Sequence, residues 1–343
     1  MYNGGKRAGR DGEASPAGKE EAMGYTGVRL RGYIHVDRLY AFHYFEFAKD
    51  YVFHGEKHDF WELFYVDKGE VIVHVEEVPH ELKQGDAMLY KPNAYHRLSA
   101  NRVTASNLFG VAFECGSSAL DALANRPVRL GDRERDLLAQ IVKEGFQAFA
   151  PPYHHPDQHT IERRADAPEG SEQLLQNFLE ILLIRLIRRA HGGQEPVGKP
   201  PFVPKEKRER DLVRSVTAFL RERLHRDLSL DAVCESFGVG KSHMTRLFKR
   251  KTGYPLMDYF KRLKVEQAKL LVREERHNFT EISRLLGYGS IHHFSKSFKK
   301  YAGMTPSDYA KSIQARAAES RSSGEGERGD WAETLPFGAG RGD

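Results

Sequence analysis

Residues 243–259 read HMTRLFKRKTGYPLMDY and residues 293–309 read HFSKSFKKYAGMTPSDY, so one chain writes nearly the same seventeen residues twice, 50 positions apart. Identical or Lys/Arg-exchanged pairs are His243/His293, Phe248/Phe298, Lys249/Lys299, Arg250/Lys300, Gly253/Gly303, Asp258/Asp308 and Tyr259/Tyr309. Thr245/Ser295 and Arg246/Lys296 are alike in kind. An echo at a fixed period marks a structural unit used twice.

The flanking residues say which unit. A short amphipathic helix comes first, LDAVCESF at 230–237 and TEISRLL at 280–286, followed by Gly238 or Gly287. Glycine takes the left-handed conformation of a tight helix end without steric cost. A second helix then starts near Lys241 or Ser290, with Met244, Leu247 and Phe248, or Phe294 and Phe298, on its inner face. This is helix-turn-helix spacing. Small residues, Cys234 and Ser283, stand where two helices cross closely, a packing role.

In such a unit the second helix offers its N-terminal half to base edges in the major groove. The outward positions are Ser242, Thr245 and Arg246 in the first copy and Ile291, His292, Ser295 and Lys296 in the second. Arg246 is suited to a guanine edge. Lys249, Arg250, Lys299 and Lys300 suit phosphates, contacts that set affinity and salt sensitivity rather than sequence choice. Between the copies, PLMDYFKRLKVEQAKLLVREE at 255–275 predicts a helix. Some eighteen helical residues span about 27 Å, against about 34 Å between successive major-groove segments on one face of a duplex. The all-α half therefore reads as two readers joined by a long helix.

Charge is distributed to match. Residues 205–316 hold 25 Lys and Arg against 13 Asp and Glu, within a chain of 343 residues whose net charge is +5, so the remainder is acidic. A basic module points to a polyanionic partner; a merely solvated basic face is the alternative. No apolar run is long enough to cross a membrane, since FLEILLIRLIRR at 178–189 is broken by Glu180 and Arg185. The first residues lack the apolar stretch of a secretory signal, and the only cysteines, Cys115 and Cys234, make no disulfide framework or zinc finger. A cytoplasmic protein is expected.

The rest of the chain reads as a second domain. Residues 29–114 alternate β-formers with turn signals, DKG and QGD among them, predicting a sandwich or barrel. DRERDLLAQIVKEGFQAF at 132–149 and SEQLLQNFLEILLIRLIRRAH at 171–191 predict helices. The expected boundaries are a disordered tail at 1–28, a β-domain with its helices at 29–191, a Pro- and Gly-rich linker at 192–205, the helical domain at 206–316 and a second disordered tail at 317–343.

Residues 206–312 resemble the DNA-binding domain of the AraC/XylS family of bacterial transcription regulators. The residues that carry this are Ile282, Gly287, Phe294, Phe298, Lys299, Gly303, Pro306 and Tyr309. Cys234 and Ser283 depart from the family's usual alanine, and Gly240 from its usual serine cap. Residues 54–96, with Gly69, Gly85–Asp86 and Pro92…His96 at the turns, resemble the cupin-like sensing domain of the same family. The resemblance implies a cupin-like β-barrel with following helices, a small-molecule effector (a sugar or similar metabolite) inside it, and a homodimer. It also implies double-stranded promoter DNA as partner, with RNA polymerase if the protein activates. Tyr44, His58, Trp61, Glu62, Tyr90 and His96 are the expected effector pocket, and the same side chains would also serve as barrel core.

Metal-binding cupins take their ligands from an HxHxxxE-like motif and a later histidine. Glu56, His58, Glu62 and His96 stand at comparable positions, with Glu56 in place of the first histidine. Regulators of this fold mostly lack a metal, so no cofactor and no enzymatic activity are expected. The alternative is a metal-dependent cupin enzyme with an appended DNA-binding domain.

Overall fold

The computed structural model describes residues 28–154, 160–193 and 205–322. The tails expected at 1–28 and 317–343 and the linker at 192–205 lie largely outside those residues. Residues 28–33 carry no regular element, and from Ile34 onward the chain packs as one unit.

Among the described residues nine strands come first: β1 (Arg38–Phe47), β2 (Val52–Glu56), β3 (Trp61–Lys68), β4 (Glu70–Val75), β5 (Val78–Lys83), β6 (Asp86–Tyr90), β7 (His96–Ala100), β8 (Ser106–Glu114) and β9 (Val128–Arg129). They form two antiparallel sheets, β1-β8-β3-β6-β9 and β2-β7-β4-β5. The fold is cupin-like, but the sheets are not closed into the barrel expected from the sequence. Residues 48–51 turn the corner between sheets, Tyr51 N bonding back to Ala48 O at 3.3 Å, so β1 and β2 fall on different ladders.

Strand alternation sorts the side chains. Leu63 and Tyr65 of β3 join Phe109, Val111 and Phe113 of β8 on the outer face of the first sheet. Phe64 and Val66 turn the other way and meet Val71, Val73, Leu82, Met88 and Leu98 between the sheets. The outer face is covered by α1 (Asp132–Ala148) and α2 (Ser171–Ala190), whose Leu138, Ile141, Leu175, Leu179, Leu182 and Leu186 complete that core. Helix α1 approaches β1 so closely that a Cβ at Gly145 would lie 2.1 Å from the Phe42 ring.

The helical half comprises α3 (Lys205–Glu222), α4 (Leu230–Phe237), α5 (Lys241–Thr252), α6 (Leu256–Glu274), α7 (Phe279–Leu285), α8 (Ile291–Ala302) and α9 (Pro306–Ser322). Helices α4–α5 and α7–α8 are the two predicted units, and α6 is the connecting helix, about 28 Å long at 1.5 Å per residue. The first unit packs Met244, Leu247 and Phe248 inward and the second Phe294 and Phe298. The echo extends to contacts: Phe248 meets Tyr259 at 5.3 Å and Phe298 meets Tyr309 at 5.7 Å, ring centre to ring centre. Gly287 has φ +63° and sits so near His225 that any Cβ would fall 2.2 Å from its carbonyl oxygen. A glycine is required there for both reasons.

Candidate DNA interface and cupin cavity

Helices α5 and α8 each turn one face to the core and one to solvent. On α5, Ser242, Thr245, Arg246 and Lys249 are exposed, and with Lys241 and Arg250 they line one open surface depression. On α8, His292, Lys296, Lys299 and Lys300 are exposed and Ser295 is half-buried. Two expectations change. Ile291 is half-buried and packs against the core of the second unit, so its side chain is shared between that core and the outward face. Arg250 is held by Glu209 of α3 at 2.6 Å, so a phosphate would have to compete with a carboxylate already in place.

The readers start differently. Ser290 caps α8, its hydroxyl accepting from His293 N at 3.1 Å. Gly240 at the same place on α5 offers no side-chain cap. The N-terminal end of α5 is tied instead by Lys241 to Asp231 of α4 at 2.7 Å.

Between the two sheets lies a cavity of about 340 Å³. His58, Glu62, Tyr90 and His96 line it, as expected from the sequence. Tyr44 and Trp61 do not, and period-two alternation is the reason. Trp61 precedes the inward-facing Glu62 and therefore faces α1 and α2, where it is core. Tyr44 lies between the cavity-lining His43 and Phe45 and points to the opposite side, donating to Asp67 at 2.6 Å. Burial, reinforced by Asp67, pushes its hydroxyl far above the ordinary range.

The walls that sequence reading missed are aromatic. Phe45, Phe47, Tyr51, Phe53, Phe60 and Phe64 all face the cavity. Phe47 stacks on Tyr51 at 3.7 Å and on Phe45 at 4.9 Å between ring centres. The signal lies in FHYFEF at 42–47, where alternation along β1 sends His43, Phe45 and Phe47 into the cavity.

The polar end of the cavity draws on both sheets. Glu56 and His96 are direct neighbours across the β2–β7 ladder. Glu62 reaches in from β3, between Tyr90 and Ala112 of its neighbours. His58 comes from the β2–β3 connection. The ligand atoms of these four residues lie within 4.8 Å of one another. Both imidazoles spend Nδ1–H on a main-chain carbonyl, His58 on Phe60 O at 3.0 Å and His96 on Ala94 O at 3.1 Å. Both Nε2 atoms therefore turn towards Glu62, at 3.2 and 3.3 Å. His96 Nε2 also lies 3.6 Å from Glu56, and neither of its carboxylate contacts is aligned as a hydrogen bond.

The charges follow from this arrangement. Burial alone would raise the Glu62 carboxyl, but the contacts with His58 and His96 outweigh it and hold the pKa down at about 2. Burial would likewise lower His96, and the facing Glu56 and Glu62 overcome it, raising the pKa to about 10. His96 is thus held as a cation facing the Glu56 and Glu62 carboxylates.

Residues 233–312 match the Helix-turn-helix domain family and residues 43–108 the Cupin domain family. An uncharacterized response regulatory protein of Staphylococcus epidermidis is 27% identical over 140 residues, covering 40% of this chain and 55% of its own length. An uncharacterized HTH-type transcriptional regulator of Bacillus subtilis, YfiF, is 23% identical over 251 residues, 73% of this chain and 76% of its own. The solved structure of fatty-acid-bound ToxT from Vibrio cholerae aligns with 80% of this chain and 96% of its own at 13% identity and a TM-score of 0.31. The chain spans about half the length of the first of these relatives.

Proposed function

We propose that this chain, in which a cupin domain precedes an AraC-type helix-turn-helix domain, is a sequence-specific DNA-binding transcription regulator whose cupin cavity takes a small-molecule effector. The observation that carries the reading is the pair of reader helices, α5 and α8, each with a solvent-facing basic side, mounted on one connecting helix. Arg246 and Lys296, at matching positions, read base edges, helped by Ser242, Thr245, His292 and Ser295. Lys249, Lys299 and Lys300 hold phosphates. Base contacts of this kind specify and phosphate contacts position.

The effector lies against the aromatic walls with a polar group at the Glu56–His96–Glu62 end. Aromatic faces with a few convergent polar groups suit a small metabolite such as a sugar. Promoter DNA is the macromolecular partner, with RNA polymerase joining if the protein activates. The exposed Leu174 and Ile181 on α2 suit pairing with a second copy. Among the described residues no helix is long and apolar enough to cross a membrane, and the reading places the protein in the cytoplasm.

Selection of binding sites from random duplex DNA tests this. The expected result is a site with two half-motifs about one helical turn apart. Binding no stronger than to heparin of equal charge density would overturn it.

A second reading has its own observation. Two Nε2 atoms and two carboxylates converge, with both Nδ1 positions fixed by carbonyls, and such a donor set fits a divalent transition metal. The ion would displace the His96 proton and offer an effector's oxygen atoms a Lewis-acidic anchor. Calorimetric titration with Ni²⁺ or Zn²⁺ checks this. Stoichiometric uptake that vanishes in His96→Ala supports the metal; no heat of binding in the wild type removes it.

A further inference from the structure

Arg273, near the end of the connecting helix α6, is 2% exposed. Its guanidinium donates from Nε to Lys269 O of its own helix at 3.3 Å, and from its two terminal nitrogens to Phe47 O at 3.2 Å, to Ser106 O at 2.9 Å and to the side-chain oxygen of Asn107. The acceptors of the terminal nitrogens all belong to the cupin domain. A buried guanidinium is tolerated only where its donors are met, so this one is satisfied only while α6 lies against the ends of β1 and β8.

The neighbouring contacts fall on the same few residues. Glu46 accepts from Lys269 of α6 and from the Tyr309 hydroxyl of α9, the latter at 2.7 Å. Ala48 is buried in the core of the second helix-turn-helix unit. Lys49 donates to Glu274 O at 3.0 Å. Residues 46–49 thus hold α6, α9 and the core of the second unit one after another. The same segment is cavity wall: Phe47 lines the cavity, stacked on Tyr51, while its carbonyl holds Arg273. Asn107, which takes Arg273 on its oxygen, donates from its nitrogen to Tyr44. Helix α3, ahead of the first unit, meets the N-terminal domain differently, through the exposed Arg214–Asp132 pair at 2.6 Å.

We propose that Arg273 is a clamp through which occupancy of the cupin cavity and engagement of DNA by the second reader are coupled. A ligand that parts Phe47 from Tyr51 must move the backbone that carries the Phe47 carbonyl, and α6 moves with it. By reciprocity, DNA that repositions α6 and α8 must alter the cavity wall. The proposal rests on the regulator reading and adds to it the route between the two sites.

Amide hydrogen exchange on the full chain tests it, with duplex DNA as the only added partner. Without DNA, Arg273→Met is expected to speed exchange about tenfold or more both in residues 44–53 and in α9, the size of a lost charged hydrogen bond. Unchanged exchange in either segment overturns the clamp whatever DNA does. With saturating DNA, the wild type is expected to change its protection at 44–53, and Arg273→Met to bind DNA without that change. A change that persists in the variant, or is missing in a wild type that binds DNA, overturns the coupling. A wild type that binds no DNA overturns the regulator reading and the coupling with it, while the DNA-free comparison still decides the clamp. Glu46→Gln, which weakens the neighbouring contacts to Lys269 and Tyr309 from the cupin side, is expected to reproduce the effect more weakly and guards against misfolding of the first variant.

Discussion

The two helix-turn-helix units begin as near copies and end with different work. Each packs against the same aromatic pair, Phe248–Tyr259 or Phe298–Tyr309, and each presents a basic reader to solvent. Yet the first reader starts at an uncapped Gly240 and has Arg250 tied to Glu209, while the second starts at a capped Ser290. The hydroxyl of Tyr309, repeat partner of Tyr259, is bonded to Glu46 of the cupin domain. A repeated sequence thus specifies a repeated core, whereas neighbours outside the repeat decide what each copy is coupled to. The core of the second unit takes in Ala48 of the cupin domain, whereas helix α3, ahead of the first unit, touches the N-terminal domain through an exposed ion pair.

This comparison can be broken at several strengths. Phe248→Ala and Phe298→Ala should each cost about 3–5 kcal/mol in denaturant unfolding, as a large buried side chain leaves a cavity. If the units differ as described, only Phe298→Ala should also speed hydrogen exchange at the end of β1; equal behaviour would erase the distinction. Next in size, Arg246→Ala and Lys296→Ala should each relax base preference in a different half-motif, by about 1–3 kcal/mol in competition binding. Loss in the same half-motif would mean that the two readers do not occupy successive grooves. Ser290→Ala should lower stability by about 1 kcal/mol, and Gly240→Ser should raise it by a few tenths, in thermal melts. The smallest effect separates the phosphate contacts. Lys249→Gln and Lys299→Gln should each reduce the salt slope of DNA binding by about 1, and Arg250→Gln by less, because Glu209 already neutralises that charge.

Legibility followed the range of the interaction. The reader helices, their glycine ends and their inward residues could be read locally, because helix periodicity and capping act over a few residues. Of the expected pocket residues in the cupin domain, His58, Glu62, Tyr90 and His96 line one cavity, while Tyr44 and Trp61 face the other side of their strands. Both errors are one-residue errors of facing, and in a strand one residue is the whole difference between cavity and core. The aromatic wall was passed over for the same reason. Arg273 was invisible for a different one: within LLVREER it looks like any solvated helix cation, and only the ends of two distant strands make it buried.

The sequence by itself determined which segments are helix and strand, that one unit is used twice, and where positive charge collects, since these depend on propensity, periodicity and composition carried by neighbouring residues. Tertiary structure alone decided that the sheets stay open, that the distant His96 closes on Glu56, His58 and Glu62, and that Arg273 is buried against Phe47 and Ser106. Those facts join residues from tens to more than two hundred positions apart. Only the balance of burial and hydrogen bonding across the whole unit brings such residues together.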